Sequence, residues 1–432
     1  MHTVIPPKVH PVITAVRDAG GRPYLVGGAV RDALIHTDNF IKDLDFEVYH
    51  IPIEMLIRTL SQFGTVETVG SSFAVIKLFM GRELNIDFAL PRRESKSGRG
   101  HRGFLVSADP EMPLDEACAR RDFTINAMLM DPFDGRIFDF FGGQKDLSDH
   151  VLRHTSNHFD EDPLRPLRAM QFAARFDFHL HEATVEKCRA MADEASTLPE
   201  ERVFGEWEKW AMYAKFPQRG LEILAAIEWD ELFGDLTHLK NQTGGIGWTR
   251  TLDAVSRASQ LADELYLGRT ERLVLMIGAL CHALALPAGE RVVRCLGTPN
   301  VLSKRILPIL DAHAAYTPAE SVSDTTLLKL SYTLSPECFE TFGRLLKSTW
   351  KGRIGEPPER LMTRAEALGV LREPAAPIVT GKFLIERGIS PGPWMGKMLA
   401  AALDAQLNRH IVSNEDAETW LKTYLSKERS ID

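Results

Sequence analysis

The chain has 432 residues, of which 44% are hydrophobic and 25% are charged. A chain of this length predicts two to four domains, since a domain typically has about 100–200 residues, and its ordinary composition excludes the disordered and fibrous classes. The 51 Lys and Arg residues against 59 Asp and Glu residues give a formal net charge of −8. This net charge argues mildly against a polyanionic partner.

The cysteines and the apolar segments indicate the cellular compartment of the protein. The five cysteines are widely spaced and form no Cys-x-x-Cys pair, so they predict neither a disulfide framework nor a zinc site. The longest apolar run, residues 273–286, is too short to span a bilayer. The N-terminal sequence MHTVIPPKVHPV lacks the apolar core of a secretory signal. We therefore expect a cytoplasmic protein with reduced thiols.

Residues 23–90 have the pattern of an α/β unit with a small mixed sheet and helices. YLVGGAV predicts a strand that ends in a Gly-Gly turn, and AVRDALI predicts a helix behind it. Further strands are predicted in DLDFEVYH, SFAVIKLF and ELNIDFAL. Residues 91–106, PRRESKSGRGHRGFLV, are basic and rich in Gly and Ser, which predicts a long, mobile loop.

From about residue 160 the pattern becomes helical, because apolar residues recur at i, i+3 and i+4 spacing. We therefore expect the α/β part to be followed by an all-α remainder. The predicted domains are an α/β head at 1–150, a helical neck at 151–235, a helical body at 236–345 and a helical tail at 346–432.

The first group of candidate site residues follows the first predicted strand. A strand that ends in Gly27-Gly28 and leads into a helix exposes N–H groups at the positive end of the helix dipole, where phosphates bind. Arg31 adds a cation in the first turn. Asp43 and Asp45 share one face of the next strand because alternate residues point the same way. Such oxygen ligands suit Mg²⁺ in an in-line attack on a phosphoryl group.

The Asp-x-Asp pattern by itself also fits a solvated strand face or a turn. Its position a dozen residues after the Gly-Gly-x-x-Arg turn favours the metal site. Asp87, in the strand NIDF, alternates with apolar residues in the same way. It is either a third catalytic carboxylate of that face or a structural aspartate.

The second group is the segment RRDFTINA, which contains Arg120, Arg121, Asp122 and Asn126. Paired arginines can bind triphosphate oxygens, and the aspartate beside them can accept a hydrogen bond from a ribose hydroxyl. The segment therefore predicts a nucleotide site. The same residues also fit an ordinary salt-bridge cluster at the start of a helix.

The third group is EDPLRPLR, in which Asp162 fits an N-cap and Pro163 the first helical position. Spacings of three place Asp162, Arg165 and Arg168 along one helix face. A fixed aspartate and arginine could pair with the exocyclic amine and ring nitrogen that cytosine and adenine share, and so refuse uracil and guanine. The alternative is an exposed cap and charge pair.

Together and in this order, these motifs closely resemble those of the bacterial class II tRNA nucleotidyltransferases and their poly(A) polymerase relatives. The resemblance includes RRESKSGRGHRGF, FGGQKDL and PEERVFGEWEKW, covers most of residues 23–235, and extends more thinly through VTGKFLIERGISPGP to about residue 410. It is especially close to the subgroup that carries an HD phosphohydrolase domain. It implies addition of CCA to the 3′ end of tRNA from CTP and ATP, without a nucleic-acid template and with Mg²⁺ as cofactor.

The resemblance also implies a nucleotidyltransferase head, a neck that reads the base, and a tail that binds tRNA. The implied roles are phosphate contacts for Gly28 and Arg31, Mg²⁺ ligation for Asp43 and Asp45, ribose and phosphate contacts for Arg120, Arg121 and Asp122, and base reading for Asp162, Arg165 and Arg168. Residues 91–106 match the flexible element that the family needs to switch from C to A. Its mixed charges favour full CCA addition and come from Glu94, Lys96 and Arg99.

One departure from the family pattern concerns residues 246–285, which follow the pattern of the HD domain. The metal-binding His-Asp pair is replaced by His282-Ala283, and residues 249–251 offer no upstream histidine. Loss of the shared carboxylate should abolish metal binding, because a lone imidazole is a poor site. We expect an HD-like helical shell without phosphohydrolase activity and with His282 in its core.

Two other interpretations remain open at this stage. The motifs are shared with poly(A) polymerases and with enzymes that add only CC or only A. A non-catalytic RNA-binding protein is a more remote alternative, against which the Asp43 and Asp45 pair argues. Local basic clusters predict salt-sensitive tRNA binding despite the negative total, and they comprise Arg92, Arg93, Lys96, Arg99 and Arg102 near the loop and Arg344, Lys347, Lys351, Arg353, Arg360 and Arg364 near the tail.

Overall fold

The structure is a computed structural model, and it divides into two compact units, Met1–Leu232 and Phe233–Asp432. No helix in the described part of the chain is both long and apolar enough to cross a membrane. The described residues are 5–35, 44–69, 75–81, 84–96, 104–241, 245–315, 322–350 and 357–428.

The first unit is built on a seven-stranded mixed sheet with the order β3-β4-β5-β2-β1-β8-β9. Strand β2 runs parallel to β5 and antiparallel to β1. Two small two-stranded sheets pair β6 with β7 and β10 with β11. The strands are β1 (Arg22–Val26), β2 (Leu44–Tyr49), β3 (Thr65–Val69), β4 (Val75–Met80), β5 (Leu84–Ala89), β6 (Arg92–Lys96), β7 (Phe104–Ala108), β8 (Leu129–Met130), β9 (Ile137–Phe138), β10 (Val151–Leu152) and β11 (His179–Leu180).

Helices cover the sheet and then continue the first unit toward its end. The α-helices are α1 (His10–Asp18), α2 (Gly28–Ile35), α3 (Ile53–Leu60), α4 (Leu114–Ala119), α5 (Gly143–Ser148), α6 (Arg165–Phe176), α7 (Glu182–Ala190), α8 (Glu200–Tyr213) and α9 (Pro217–Ala226). Short 3₁₀ turns lie at Pro7–Val9, Thr124–Asn126, Asn157–Glu161, Ala192–Thr197 and Trp229–Leu232.

The two faces of the sheet follow from the alternation along its strands. On β2, Leu44 and Phe46 are buried in the core formed with α1, α2 and α3, whereas Asp45 is exposed on the other face. That other face carries a second, smaller core, which includes Tyr24, Tyr49 and Cys118. The alternation predicted for the Asp-x-Asp strand is confirmed at these residues, and it directs Asp45 away from the main core.

The prediction of a loop over residues 91–106 is wrong for its two ends. Strands β6 and β7 form an antiparallel hairpin in which Arg92 pairs with Ala108 and Lys96 with Phe104. Two paired strands by themselves enclose no core, so β6 needs no apolar face. The apolar alternation that signals a strand is therefore absent from its sequence. The base of the hairpin is held by Arg93, which donates to Asp109 at 2.7 Å and also to Glu116 on α4.

The prediction that Asp162 caps the helix of the third group is also wrong. Helix α6 begins at Arg165, with Leu164 at its N-cap and Pro166 in its first turn. Asp162 instead ends a 3₁₀ turn, and its Oδ1 accepts from the Leu164 N–H at 3.1 Å. Of the two prolines, Pro166 is the one in the first helical turn, where its missing N–H costs no hydrogen bond.

The second unit is helical throughout its described residues, as the sequence predicts. A separate apolar cluster, which includes Phe383, Leu384 and Met398, packs its last helices together. The four-part division into head, neck, body and tail stays a prediction. The helices are α10 (Leu236–Asn241), α11 (Ile246–Glu264), α12 (Arg269–Cys281), α13 (Leu286–Cys295), α14 (Asn300–Ala315), α15 (Asp324–Thr333), α16 (Phe339–Thr349), α17 (Pro358–Ala367), α18 (Gly381–Ile385), α19 (Pro393–Leu407) and α20 (Asn414–Glu428).

Candidate active site

A cleft of about 560 Å³ in the first unit brings together the three groups of residues that the sequence singles out. Its walls come from β1, β2 and β5, from the segment after α4, and from α6 and α8. Its floor and walls combine carboxylates with many guanidinium groups. The lining residues from the predicted set are Gly27, Gly28, Arg31, Asp45, Asp87, Arg120, Arg121, Asp122, Asn126, Asp162, Arg165 and Arg168.

The carboxylates lie on neighbouring strands of the sheet. Asp45 on β2 is in register with Asp87 on β5, so both side chains project from the same face. Lys77 on β4 is in register with Asp87 and donates to both of its carboxylate oxygens, at 2.9 and 2.7 Å. Asp87 is therefore held by an ammonium group. Asp43 lies outside the described residues, and Asp87 stays a candidate for the third catalytic carboxylate.

The Gly-Gly turn is shaped for a close approach of other groups. Gly27 has φ of +63°, in the left-handed region that glycine adopts without strain. A Cβ at Gly27 would stand 2.9 Å from Nη1 of Arg121, and one at Gly28 would stand 3.3 Å from Nη2 of Arg31. The two glycines therefore let arginine side chains lie directly against the backbone.

Arg31 is 3% exposed and is held inside the wall of the cleft. It donates to Asn126 Oδ1 at 2.6 Å and to Asp32 Oδ1 at 2.9 and 2.7 Å. Its guanidinium also lies against the rings of Phe172 and Phe176, at 5.2 and 4.7 Å from their centroids. Burial lowers the pKa of Arg31, and Asp32 opposes that shift. Its predicted phosphate contact stays a prediction.

Asp122 connects helix α6 with the segment that follows α4. Its Oδ2 accepts from Arg168 Nε at 2.7 Å, and its Oδ1 accepts from Asn126 Nδ2 at 3.0 Å and from the Phe123 N–H at 2.7 Å. Burial opposes the charge of Asp122, but Arg168 and these donors outweigh burial and lower its pKa to about 2. Asp122 is therefore an anion that receives three hydrogen bonds within the protein.

The residues expected to read the base lie at the start of α6. Arg165 donates to the carbonyl oxygens of His158 at 2.7 Å and Arg120 at 2.6 Å. Arg202 on α8 donates to both oxygens of Asp162, at 2.9 and 3.2 Å. The Asp162 carboxylate is thus fixed from a second helix, as a group that discriminates between bases must be.

The lining residues that were not predicted from the sequence include Glu47, Phe172 and Arg202. Glu47 follows Asp45 by two residues along β2, so the period-2 pattern could have identified it. Arg202 lies in PEERVFGEW, where a helical charge pattern gives no sign that it faces a cleft. Of the predicted loop residues, Arg99 and the side chains of Glu94 and Lys96 lie outside the described part of the chain.

In the second unit, His282 and His313 lie together. Their rings are 5.5 Å apart, His282 Nδ1 lies 2.8 Å from the Ala279 oxygen, and His313 Nε2 lies 3.1 Å from Thr349 Oγ1. Burial, followed by the neighbouring His282, lowers the pKa of His313 to about 3. Within the described ranges, no three His, Cys, Asp or Glu side chains are grouped so that they could hold a metal ion.

Several residues of the predicted basic clusters are paired with carboxylates. Arg344 lies 3.0 Å from Glu340, Lys347 lies 3.5 Å from Glu359, and Arg364 lies 2.6 Å from Asp324. Arg93 is likewise paired, at the base of the β6–β7 hairpin. The local positive charge is therefore smaller than the basic residues alone predict.

Comparisons with known proteins show what this chain is similar to. Residues 23–153 match the family described as the Poly A polymerase head domain. The chain is 37% identical over 274 residues to the multifunctional CCA protein of Haemophilus ducreyi, covering 60% of this chain and 63% of that protein. It is 41% identical over 203 residues to that of Neisseria meningitidis serogroup A, covering 46% of each chain. These matches thus span about half to two thirds of those relatives.

A longer match covers nearly the whole of a relative. The multifunctional CCA protein of Nitrosococcus oceani is 32% identical over 421 residues, which cover 89% of this chain and 96% of that protein. The chain therefore belongs to the family of the class II tRNA nucleotidyltransferases and poly(A) polymerases, together with the multifunctional CCA proteins.

Solved structures show the same fold over the whole length. The CCA-adding enzyme of Bacillus stearothermophilus in complex with CTP has a TM-score of 0.69 at 24% identity and covers 99% of this chain and 100% of its own. The Thermotoga maritima CCA-adding enzyme complexed with tRNA has a TM-score of 0.62 at 20% identity and covers 97% of this chain and 96% of its own. The predicted α/β head followed by helical parts is confirmed as the fold.

Proposed function

We propose that this protein is a tRNA nucleotidyltransferase that adds CCA to tRNA 3′ ends from CTP and ATP, without a nucleic-acid template. The observation that carries the proposal is the meeting of strand carboxylates and a guanidinium-rich wall in one cleft. Carboxylates can hold the metal ions that neutralise the reacting phosphate, and guanidinium groups can bind the phosphates directly. The family membership and the CCA-adding relatives support the same activity.

Mg²⁺ is the proposed cofactor, and the donor set fits it. Asp45 is exposed toward the cleft and offers hard oxygen ligands there. Asp87 lies in register with it on the same face, where its oxygens accept from Lys77. Asp43 and Asp45 would hold the metal ions. When bound, two metal ions would neutralise developing charge and activate the 3′-hydroxyl for attack on the α-phosphorus.

The protein's own groups position the substrates and neutralise charge, which is the main contribution of a protein to phosphoryl transfer. Arg120 and Arg121 line the same cleft as the carboxylates and would bind the triphosphate. The Asp122 carboxylate already receives three hydrogen bonds, so it retains roughly one of four acceptor positions for a ribose hydroxyl. Its main task would be to hold Arg168 and Asn126.

Base choice would depend on Asp162, Arg165 and Arg168. A carboxylate can accept from the exocyclic amine of cytosine or adenine, and a guanidinium can donate to the adjacent ring nitrogen. Uracil and guanine present the reverse pattern and would set a carbonyl oxygen against the carboxylate and an N–H group against the guanidinium, so these hydrogen bonds would be lost. Fixation of Asp162 by Arg202 supports a reading role, because a carboxylate free to turn would accept either pattern.

Two finer points belong to this proposal. The body is proposed to lack phosphohydrolase activity, because His282 is followed by Ala283 and not by the acidic partner of an HD pair. The protein is proposed to work in the cytoplasm, where tRNA is matured and its unpaired cysteines would stay reduced.

The decisive experiment offers purified protein three tRNA transcripts that end before CCA, after C and after CC, with labelled CTP or ATP supplied separately. Incorporation at all three stages that stops after one A supports the proposal. A long A ladder indicates a poly(A) polymerase, and a single stage indicates a partial enzyme. RNA binding without incorporation at any divalent concentration contradicts catalysis altogether.

A further inference from the structure

Glu47 lies at the inner end of the row of acidic residues on the cleft face of β2. It follows Asp45 by two residues and therefore shares its face, and it lies opposite Tyr24 of β1. Its side chain is only 14% exposed, yet it lines the cleft. A largely buried carboxylate requires partners, and those partners indicate its role.

Two groups meet the same oxygen of Glu47. The Tyr49 hydroxyl donates to Oε2 at 2.9 Å, and Nη2 of Arg121 lies 3.5 Å from that oxygen. Tyr49 is 1% exposed, and burial together with the charge of Glu47 raises its pKa. Tyr49 therefore stays a neutral donor, which orients Glu47 from the core side while Arg121 lies on the cleft side.

Arg121 in turn lies over the Gly27-Gly28 turn. Its Nη1 is 2.9 Å from the position that a Cβ of Gly27 would occupy. Its Nε has no hydrogen-bond partner among the described residues. Burial lowers the pKa of Arg121, but the charge of Glu47 and other acidic groups outweighs burial and raises it. A guanidinium has five donors in a rigid fork, so one acceptor is enough to set the direction of the others.

We propose that Glu47 is a positioning residue, which holds the Arg121 guanidinium over the Gly-Gly turn so that its remaining donors face the triphosphate of the incoming nucleotide. This inference rests on the proposed function. It adds a residue to the site that acts through Arg121 and not through the reacting atoms. Because it orients a binding group, it affects the affinity for CTP and ATP alike and leaves the chemical step largely unchanged.

The test compares Glu47→Gln, Glu47→Asp, Arg121→Lys and the double variant Glu47→Gln/Arg121→Lys. CTP and ATP dissociation constants are measured without tRNA, and KM and kcat are measured with a tRNA substrate. We expect Glu47→Gln to raise both dissociation constants and KM about tenfold with kcat changed less than about threefold. Glu47→Asp restores part of the affinity. In the Arg121→Lys background, Glu47→Gln has little further effect, because residues that act through one contact are not additive.

Glu54→Gln on the exposed side of α3 is the matched control and leaves nucleotide affinity unchanged. The inference is overturned if Glu47→Gln binds CTP and ATP like the wild type, or if its effect adds fully to that of Arg121→Lys. A changed Mg²⁺ requirement at unchanged nucleotide affinity also overturns it, since Glu47 would then be a metal ligand. A wild-type protein that neither binds nor incorporates nucleotides contradicts the proposed function itself.

Discussion

Nε of Arg168 lies 2.7 Å from Oδ2 of Asp122, and this hydrogen bond joins helix α6 to the segment that follows α4. The two residues are 46 positions apart, and both line the cleft. Through Asn126, the same carboxylate is connected to Arg31 at the start of α2. One buried anion therefore fixes the relative positions of three elements of the cleft.

Replacement of Asp122 by Asn tests this connection through its pH dependence. The folded pKa of about 2 lies below the ordinary aspartate value, so the carboxylate contributes stability above about pH 4, and that contribution is lost as the pH falls toward 2. We expect Asp122→Asn to lower the free energy of unfolding by about 2 to 4 kcal/mol at pH 7 and by much less near pH 2.5. Urea unfolding at both pH values measures the difference, and an equal loss at both contradicts it.

Replacement of Gly27 by Ala tests the close approach of Arg121. An alanine at φ of +63° is strained, and its Cβ would displace Nη1 from 2.9 Å. We expect the affinity for CTP and ATP to fall more than about tenfold. The free energy of unfolding should also fall, by about 1 to 2 kcal/mol. Gly135→Ala is the control, because Gly135 has φ of +75° with no atom within 4 Å of its Cβ position. If the two substitutions weaken nucleotide binding equally, the loss of affinity comes from backbone strain and not from displacement of Arg121.

The ion pair between Lys77 and Asp87 predicts an effect on the proposed metal requirement. The Lys77 ammonium donates to both oxygens of Asp87, so it competes with a divalent cation and repels it. We expect Lys77→Met to lower the Mg²⁺ concentration for half-maximal incorporation several-fold. Asp45→Asn, which removes a proposed metal ligand, should reduce incorporation more than about a hundredfold. The exposed Lys145→Met is the control. A higher Mg²⁺ requirement in Lys77→Met would show that Lys77 assists the site.

Replacement of Arg202 tests base choice without changing the residues that are proposed to read the base. Removal of its guanidinium takes a donor from each oxygen of Asp162 and leaves Oδ1 with the Leu164 N–H, so the carboxylate is held less firmly. We expect Arg202→Met to raise UTP and GTP incorporation relative to CTP and ATP about tenfold, which corresponds to about 1.4 kcal/mol of discrimination. Arg219→Met, which removes ion pairs with Asp177 and Glu222, is the control. Unchanged selectivity would mean that Asp162 does not depend on Arg202.

His313 makes the second unit sensitive to acid. Its pKa of about 3 lies below the ordinary histidine value because the ring is largely buried and lies beside His282. The neutral ring contributes stability above about pH 6.5, and this contribution is lost progressively as the pH falls toward 3. We expect His313→Gln to be less acid-sensitive than the wild type in urea unfolding at pH 7 and pH 4.5. His179→Gln, at an exposed position, should behave like the wild type.

The sequence predicted the parts of the site that depend on local pattern. Period-2 alternation identified Asp45 and Asp87, and the Gly-Gly turn followed from residue type. The start of α6 was misplaced because Asp162 and Pro163 mimic a capped helix two residues early. The β6–β7 hairpin was missed because its polar strand has no core to face. Arg202 and the contact of Glu47 with Arg121 depend on tertiary packing, which no local spacing encodes.

The buried position of Arg31 has a consequence for redesign of the enzyme. Its guanidinium contacts two aromatic rings, and its donors are committed to Asp32 and Asn126, while Asn126 continues to Asp122 and Arg168. A library that varies only the residues proposed to read the base will therefore also select for compensation around Arg31, which is proposed to contact phosphate. New nucleotide preferences are best sought by varying both ends of this chain of contacts together, since their effects will not be independent.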